Sequence, residues 1–177
     1  RTFARYFYLF RGTPSALWLN HVFSDVFKMD VCLEESTADL YFDAIGGALA
    51  SADFLPRALF KSFNIELLAT TESPLDHLTH HKHISSSGWD GQIVSTYRPD
   101  PVLDPNTPAF HDKLAAFGEL TGEDTITWKG YLNAHRQRRL DFAALGTTAT
   151  DHGHATALTS NLDPKESKKL FEKVLSG

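Results

Sequence analysis

A chain of 177 residues, 42% hydrophobic and 22% charged, is long enough to bury a real core and falls within the usual size of one domain. Its net charge of −5 without any long basic run argues against a nucleic-acid partner, and no stretch approaches the ~20 apolar residues of a membrane span. One cysteine, Cys32, excludes an intrachain disulfide and fits a reducing, cytoplasmic setting.

In chain order, the opening Arg1-Thr2-Phe3 has no initiator Met and no signal-peptide pattern, and reads as cut from something longer. Residues 1–62 look wholly helical. The periodicity predicts one helix over Pro14–Phe27, with Leu17, Trp18, His21, Val22 and Asp25 around its turns. A second covers Thr37–Leu49 and should bury Leu40, Tyr41, Ala44, Ile45 and Ala48, and a short third runs through Leu59. Thr13-Pro14, Ser73-Pro74, Thr107-Pro108 and Asp163-Pro164 each pair a good N-cap with proline at the first helical position.

From Ile65 the pattern changes to strand and helix in alternation. Strands are expected over Ile65–Thr71, Gln92–Tyr97 and Thr147–Thr150, with helices over Pro74–Ile84, Pro108–Phe117, Thr125–Leu145 and Pro164–Leu175 between and after them. This order implies parallel pairing by right-handed crossovers, so the three strand ends share one rim. The fold class is therefore α/β: a helical region over residues 1–62, then βα units over 63–177, either an open sheet or part of a TIM-like (β/α)8 barrel.

Rim residues are the candidates for chemistry. Pro99 biases Arg98 toward extended backbone, so its guanidinium should continue the strand and could grip a substrate carboxylate bidentately, or else pair with Asp100 or another rim acid. His152 and His154 stand two apart, as metal ligands on a strand would; Asp151 could orient one ring, and His152 equally suits acid–base work or a substrate hydrogen bond. Glu72 ends the first strand, as a rim carboxylate or a partner for the next helix. His77, His80, His81 and His83 lie on the predicted helix and read as surface or packing residues. Arg136, Arg138 and Arg139 form the one basic cluster, expected to face solvent or make intersubunit salt bridges in a homo-oligomer.

Ala69-Thr70-Thr71-Glu72-Ser73-Pro74-Leu75-Asp76, the spacing on to His81, Tyr97-Arg98-Pro99-Asp100 and Asp151-His152-Gly153 together resemble the interior of a uronate isomerase of the amidohydrolase superfamily, over about Thr13–Leu162. The resemblance implies a distorted (β/α)8 barrel with a helical addition, and interconversion of aldehyde and keto uronates. It also implies Arg98 in the substrate site and His152 as an active-site histidine; the rim residues Glu72 and Asp151 are expected to bind substrate beside Arg98. Where relatives carry an Asp-Asp turn this chain has Glu72-Ser73, and His154 replaces a common apolar residue. The family's His-x-His metal pair and its last-strand aspartate have no counterpart here. Zinc or another divalent metal is thus expected only in the full-length enzyme, and the isolated chain should be poorly active. A metal-dependent hydrolase acting on an acidic small molecule is the second reading; a packing fragment without a site is the third.

Overall fold

The structure is a computed structural model that describes residues 1–153 and 158–176. It divides into two compact units, Arg1–Ile65 and Glu66–Gly177.

Among the described residues the first unit contains helices and no strand, as α1 (Thr2–Tyr6), α2 (Pro14–His21), α3 (Ala38–Leu49) and α4 (Pro56–Ser62) with short 3₁₀ turns between them and an irregular stretch over 27–34. Thr13 caps α2, its hydroxyl accepting from the Ala16 amide at 3.2 Å while Pro14 fills the first position. The helix expected to run to Phe27 leaves α geometry at His21 and finishes as a π-helical turn over Val22–Val26. Aromatic rings hold the unit together. Phe7 stands 5.6, 5.9 and 6.0 Å from Phe3, Phe10 and Phe23, and Phe23 meets Tyr41 edge-on at 5.1 Å. Tyr41 and Ala38 are the buried residues of α3; Leu40, expected inside, is 53% exposed. Tyr41 is buried as expected, its hydroxyl reaching the Val31 carbonyl while its ring packs on Phe23.

The second unit contains β1 (Leu67–Glu72), α5 (Thr79–Ser86), β2 (Gln92–Tyr97), α6 (Asp100–Leu103), α7 (Phe110–Thr121), α8 (Trp128–Ala143) and α9 (Pro164–Ser176). The two strands pair in parallel, Leu67 opposite Gln92 through Glu72 opposite Tyr97. The expected third strand shrinks to a parallel bridge between Thr150 and Tyr97. Tyr97 donates its amide to the Ala149 carbonyl at 3.2 Å and accepts from the Asp151 amide at 3.0 Å. Earlier in that segment the tie is made by side chains, with the Ser95 and Thr147 hydroxyls 2.7 Å apart. The sheet of the described residues thus has two strands and one bridging segment, not three full strands.

Two expected helix starts are turns. At Ser73-Pro74 the Asp76 carboxylate accepts from the Leu78 amide, Leu78 adopts a left-handed φ of 54°, and α5 begins only at Thr79. Arg138, expected at the surface, explains why this turn persists. It is buried in α8, donates to the carbonyls of Pro74 and Asp76 at 2.8 and 2.6 Å, and pairs with Asp141. At Thr107-Pro108 the helix waits until Phe110, after Ala109 with φ 56°. The core lies between the helices: Val102, Phe110, Leu114, Phe117, Tyr131, Ala134 and Phe171 form one cluster, and Leu78, Tyr97 and Phe142 a second under the sheet.

Candidate active site

Strand alternation sorts the rim by face. On β2, Ser95 and Tyr97 are buried toward the helices, and the Tyr97 ring meets Phe142 of α8 at 5.1 Å. Thr96 and Arg98 therefore take the opposite, open face. Thr71 of β1 joins them, since its hydroxyl accepts from Thr96 at 3.3 Å. Arg98 extends the ladder as its proline neighbour predicts, donating its amide to the Glu72 carbonyl at 2.9 Å.

Asp151 comes to the same face from the bridging segment. Its Oδ2 accepts from the Thr71 hydroxyl at 3.0 Å and is paired with Arg98 Nη2. The Thr71 hydroxyl first, and then the Arg98 guanidinium, hold this carboxyl below the usual carboxylate range. Arg98 Nε also stands 3.6 Å from Asp100 Oδ2, and the Asp100 carboxylate accepts the Gly153 amide at 3.1 Å. A guanidinium flanked by two aspartates realises the rim-acid pairing open at the level of sequence. It also leaves the Arg98 side chain 42% exposed on the open face.

The side chains of Glu72 and His152 line other spaces, although His152 still adds to the lowering of the Asp151 pKa. Glu72 is the register partner of Tyr97 and its carboxylate turns toward α5, 3.9 Å from His81 Nε2. His152 lines a cleft of about 460 Å³ with Pro99, Leu103, Trp128, His135 and Arg139, a lining that includes neither Arg98, Asp151 nor Glu72. Of the four residues expected to converge, Arg98 and Asp151 touch, whereas Glu72 and His152 each open elsewhere. His154 lies outside the described residues.

Sequence reasoning missed two histidines. His81, read as a surface or packing residue, is the packing one, buried with Nε2 2.8 Å from the Thr70 hydroxyl, a partner the sequence did not name. Its place four residues before Ser85 on an otherwise polar helix carries no signal that it faces a strand. His135 is also buried, its Nδ1 2.7 Å from the Tyr97 hydroxyl, and burial, aided by the Arg139 charge, lowers its pKa to about 4.

Among the described residues no three His, Cys, Asp or Glu side chains stand together as metal ligands. With Asp151 committed to Thr71 and Arg98, and His152 turned into the helical cleft, the described rim does not fit a divalent ion.

The glucuronate isomerase family profile matches residues 1–177. Uronate isomerase from Xanthomonas axonopodis pv. citri is 59% identical over 177 residues, which are all of this chain and 38% of that protein. The Phenylobacterium zucineum uronate isomerase is 57% identical over 176 residues, covering 99% of this chain and 37% of its own. The crystal structure of glucuronate isomerase from Caulobacter crescentus superposes with a TM-score of 0.93 at 51% identity, over 99% of this chain and 36% of that one. Uronate isomerase from Thermotoga maritima gives a TM-score of 0.88 at 27% identity, over 98% and 38%. The chain spans 38% of the length of the first of these relatives. By sequence along its whole length and by the course of its backbone, this chain belongs to the glucuronate isomerase family.

Proposed function

We propose that the full-length protein is a cytoplasmic uronate isomerase, interconverting D-glucuronate with D-fructuronate and D-galacturonate with D-tagaturonate. The observation that supports this most directly is the Arg98 guanidinium at the end of β2, exposed on the open face beside Asp151, Thr71 and Thr96. Residues 1–62 then form the helical addition, and 63–177 contribute βα units to a (β/α)8 barrel whose remaining strands lie outside this sequence.

In this reading Arg98 holds the sugar-acid carboxylate, which is remote from the reacting carbons and serves for orientation. Asp151 keeps the guanidinium aimed, and the threonine hydroxyls offer partners to sugar hydroxyls. Glu72 bounds the rim at the end of β1 with its carboxylate toward α5, and His152, its ring in the helical cleft, bears on the site through its electrostatic effect on Asp151. Isomerisation moves a proton from the carbon beside the aldehyde to the aldehyde carbon, and the hydroxyl proton of that neighbouring carbon to the aldehyde oxygen. The base for that step, and any divalent metal, come from segments beyond these residues.

The test is a substrate panel on the full-length enzyme with an Arg98→Met variant. Wild type should convert uronates and leave esters and lactones intact, and the variant should raise KM for the uronate about tenfold or more, the scale expected for one lost charge-assisted pair. Hydrolysis of lactones without uronate conversion would establish the metal-dependent hydrolase instead.

A further inference from the structure

The imidazole of His81 is the one side chain of α5 that the surrounding protein encloses, and the isomerase reading has given it no task. It is 8% exposed, on a helix whose other residues are polar and solvent-facing or half-buried. Its Nε2 lies 2.8 Å from Thr70 Oγ1 and 3.9 Å from Glu72 Oε1, so one ring nitrogen addresses both helix-facing side chains at the end of β1.

The protonation of that nitrogen follows from what it faces. A bare Nε2 lone pair would point toward a carboxylate oxygen and be repelled, whereas an N–H there is attracted to it and donates to the Thr70 hydroxyl. Nδ1 is buried without a hydrogen-bond partner among the described residues, and a proton placed on it would be an enclosed donor with no acceptor. Both considerations select the Nε2–H tautomer.

We propose that His81 is a positioning residue: its Nε2–H, steadied by Thr70, sets where the Glu72 carboxylate stands at the rim. A glutamate at a strand end has three side-chain torsions to restrict, and its side chain is 25% exposed. The positive edge of an N–H held rigidly by the neighbouring helix and bonded to Thr70, 3.9 Å from the carboxylate, biases those torsions electrostatically before any ligand arrives. The inference rests on the isomerase reading for its consequence in turnover, and on geometry alone for the His81–Glu72 coupling.

The experiment uses the full-length enzyme and two readouts. In the first, kcat/KM for uronate isomerisation is measured for His81→Leu, His81→Gln, Glu72→Gln and the His81→Leu/Glu72→Gln pair. His81→Leu should lose about tenfold, and His81→Gln, which returns a donor near the Nε2 position, should recover to within about threefold of wild type. In the Glu72→Gln background the His81→Leu loss should shrink to about twofold or less. Losses that multiply, or a His81→Gln variant no better than His81→Leu, would overturn the proposal. The second readout is the imidazole ¹⁵N spectrum of histidine-labelled enzyme, with His81 assigned by its disappearance in His81→Gln. It should report the Nε2–H tautomer, and its Nε2 resonance should move in Glu72→Gln; a Nδ1–H tautomer, or no response, refutes the coupling. If no uronate is converted, the isomerase reading fails while the spectrum still decides the fate of His81. The spectrum likewise decides if His81→Leu does not fold.

Discussion

Acidification should destabilise the Glu66–Gly177 unit through His135. The ring is 8% exposed, bonded at Nδ1 to the Tyr97 hydroxyl, and enclosed edge-on by Phe117 at 4.9 Å and Tyr131 at 4.6 Å. Burial first, and the Arg139 charge second, bring its pKa from 6.5 to about 4. A histidine so depressed takes up its proton more readily in the unfolded chain, so stability is full above 6.5 and falls as pH descends toward 4. At 1.36 kcal/mol per tenfold change in protonation, the whole span amounts to about 3 kcal/mol, of which about 2 kcal/mol is lost between pH 7 and 4.5. The assay is urea denaturation of the full-length enzyme and a His135→Gln variant at those two pH values, followed by tryptophan fluorescence, since Trp128 lies against Tyr131 at 6.4 Å. Wild type should lose about 2 kcal/mol more than the variant over the interval, whatever the variant loses at pH 7. Equal losses in both proteins, or a His135 resonance titrating at its ordinary value, would refute the reasoning.

Two substitutions test packing and capping. Gly130→Ala sets about 1 kcal/mol of helix propensity against a Cβ that would stand 2.0 Å from the Asp124 carbonyl oxygen. The clash should win, with a net loss of about 1–3 kcal/mol in a thermal melt, and a gain would show that the Asp124–Thr127 turn moves freely. Asp163→Ala removes the acceptor for the Lys165 and Glu166 amides, at 2.7 and 2.9 Å. It should weaken the start of α9 by about 1 kcal/mol, read as faster amide exchange there while α8 is unaffected.

What could be read from sequence was whatever local chemistry decides. Gln92–Tyr97 is a strand at the expected bounds, and Thr13 and Asp163 cap their helices because nothing distant competes for those hydroxyl and carboxylate oxygens. Ser73-Pro74 carries the same local signal, yet Arg138, more than sixty positions away, takes the Pro74 and Asp76 carbonyls and stabilises a turn in place of a helix. No periodicity in α8 announces a buried guanidinium. The rim followed the same division. Extended backbone at Arg98 was legible from Pro99, and its pairing with a rim acid stood open as one of two outcomes. The separation of Glu72 and His152 from Arg98 was not legible, because facing in a strand depends on parity. One residue decides between the sheet's two sides, and the third segment keeps too little ladder to make its parity readable.

Arg98 reaches the open face already matched to Asp151. A sugar acid that took this guanidinium would therefore exchange one carboxylate for another, so the pair adds less than its full worth to affinity, and the loss in Arg98→Met comes largely from leaving Asp151 unpaired beside the sugar acid. Discrimination among acids would then fall to the hydroxyl pattern next to the carboxylate, read by Thr71 and Thr96. The aspartate set free by the exchange would carry news of occupancy into the segment that bridges to Tyr97 at Thr150.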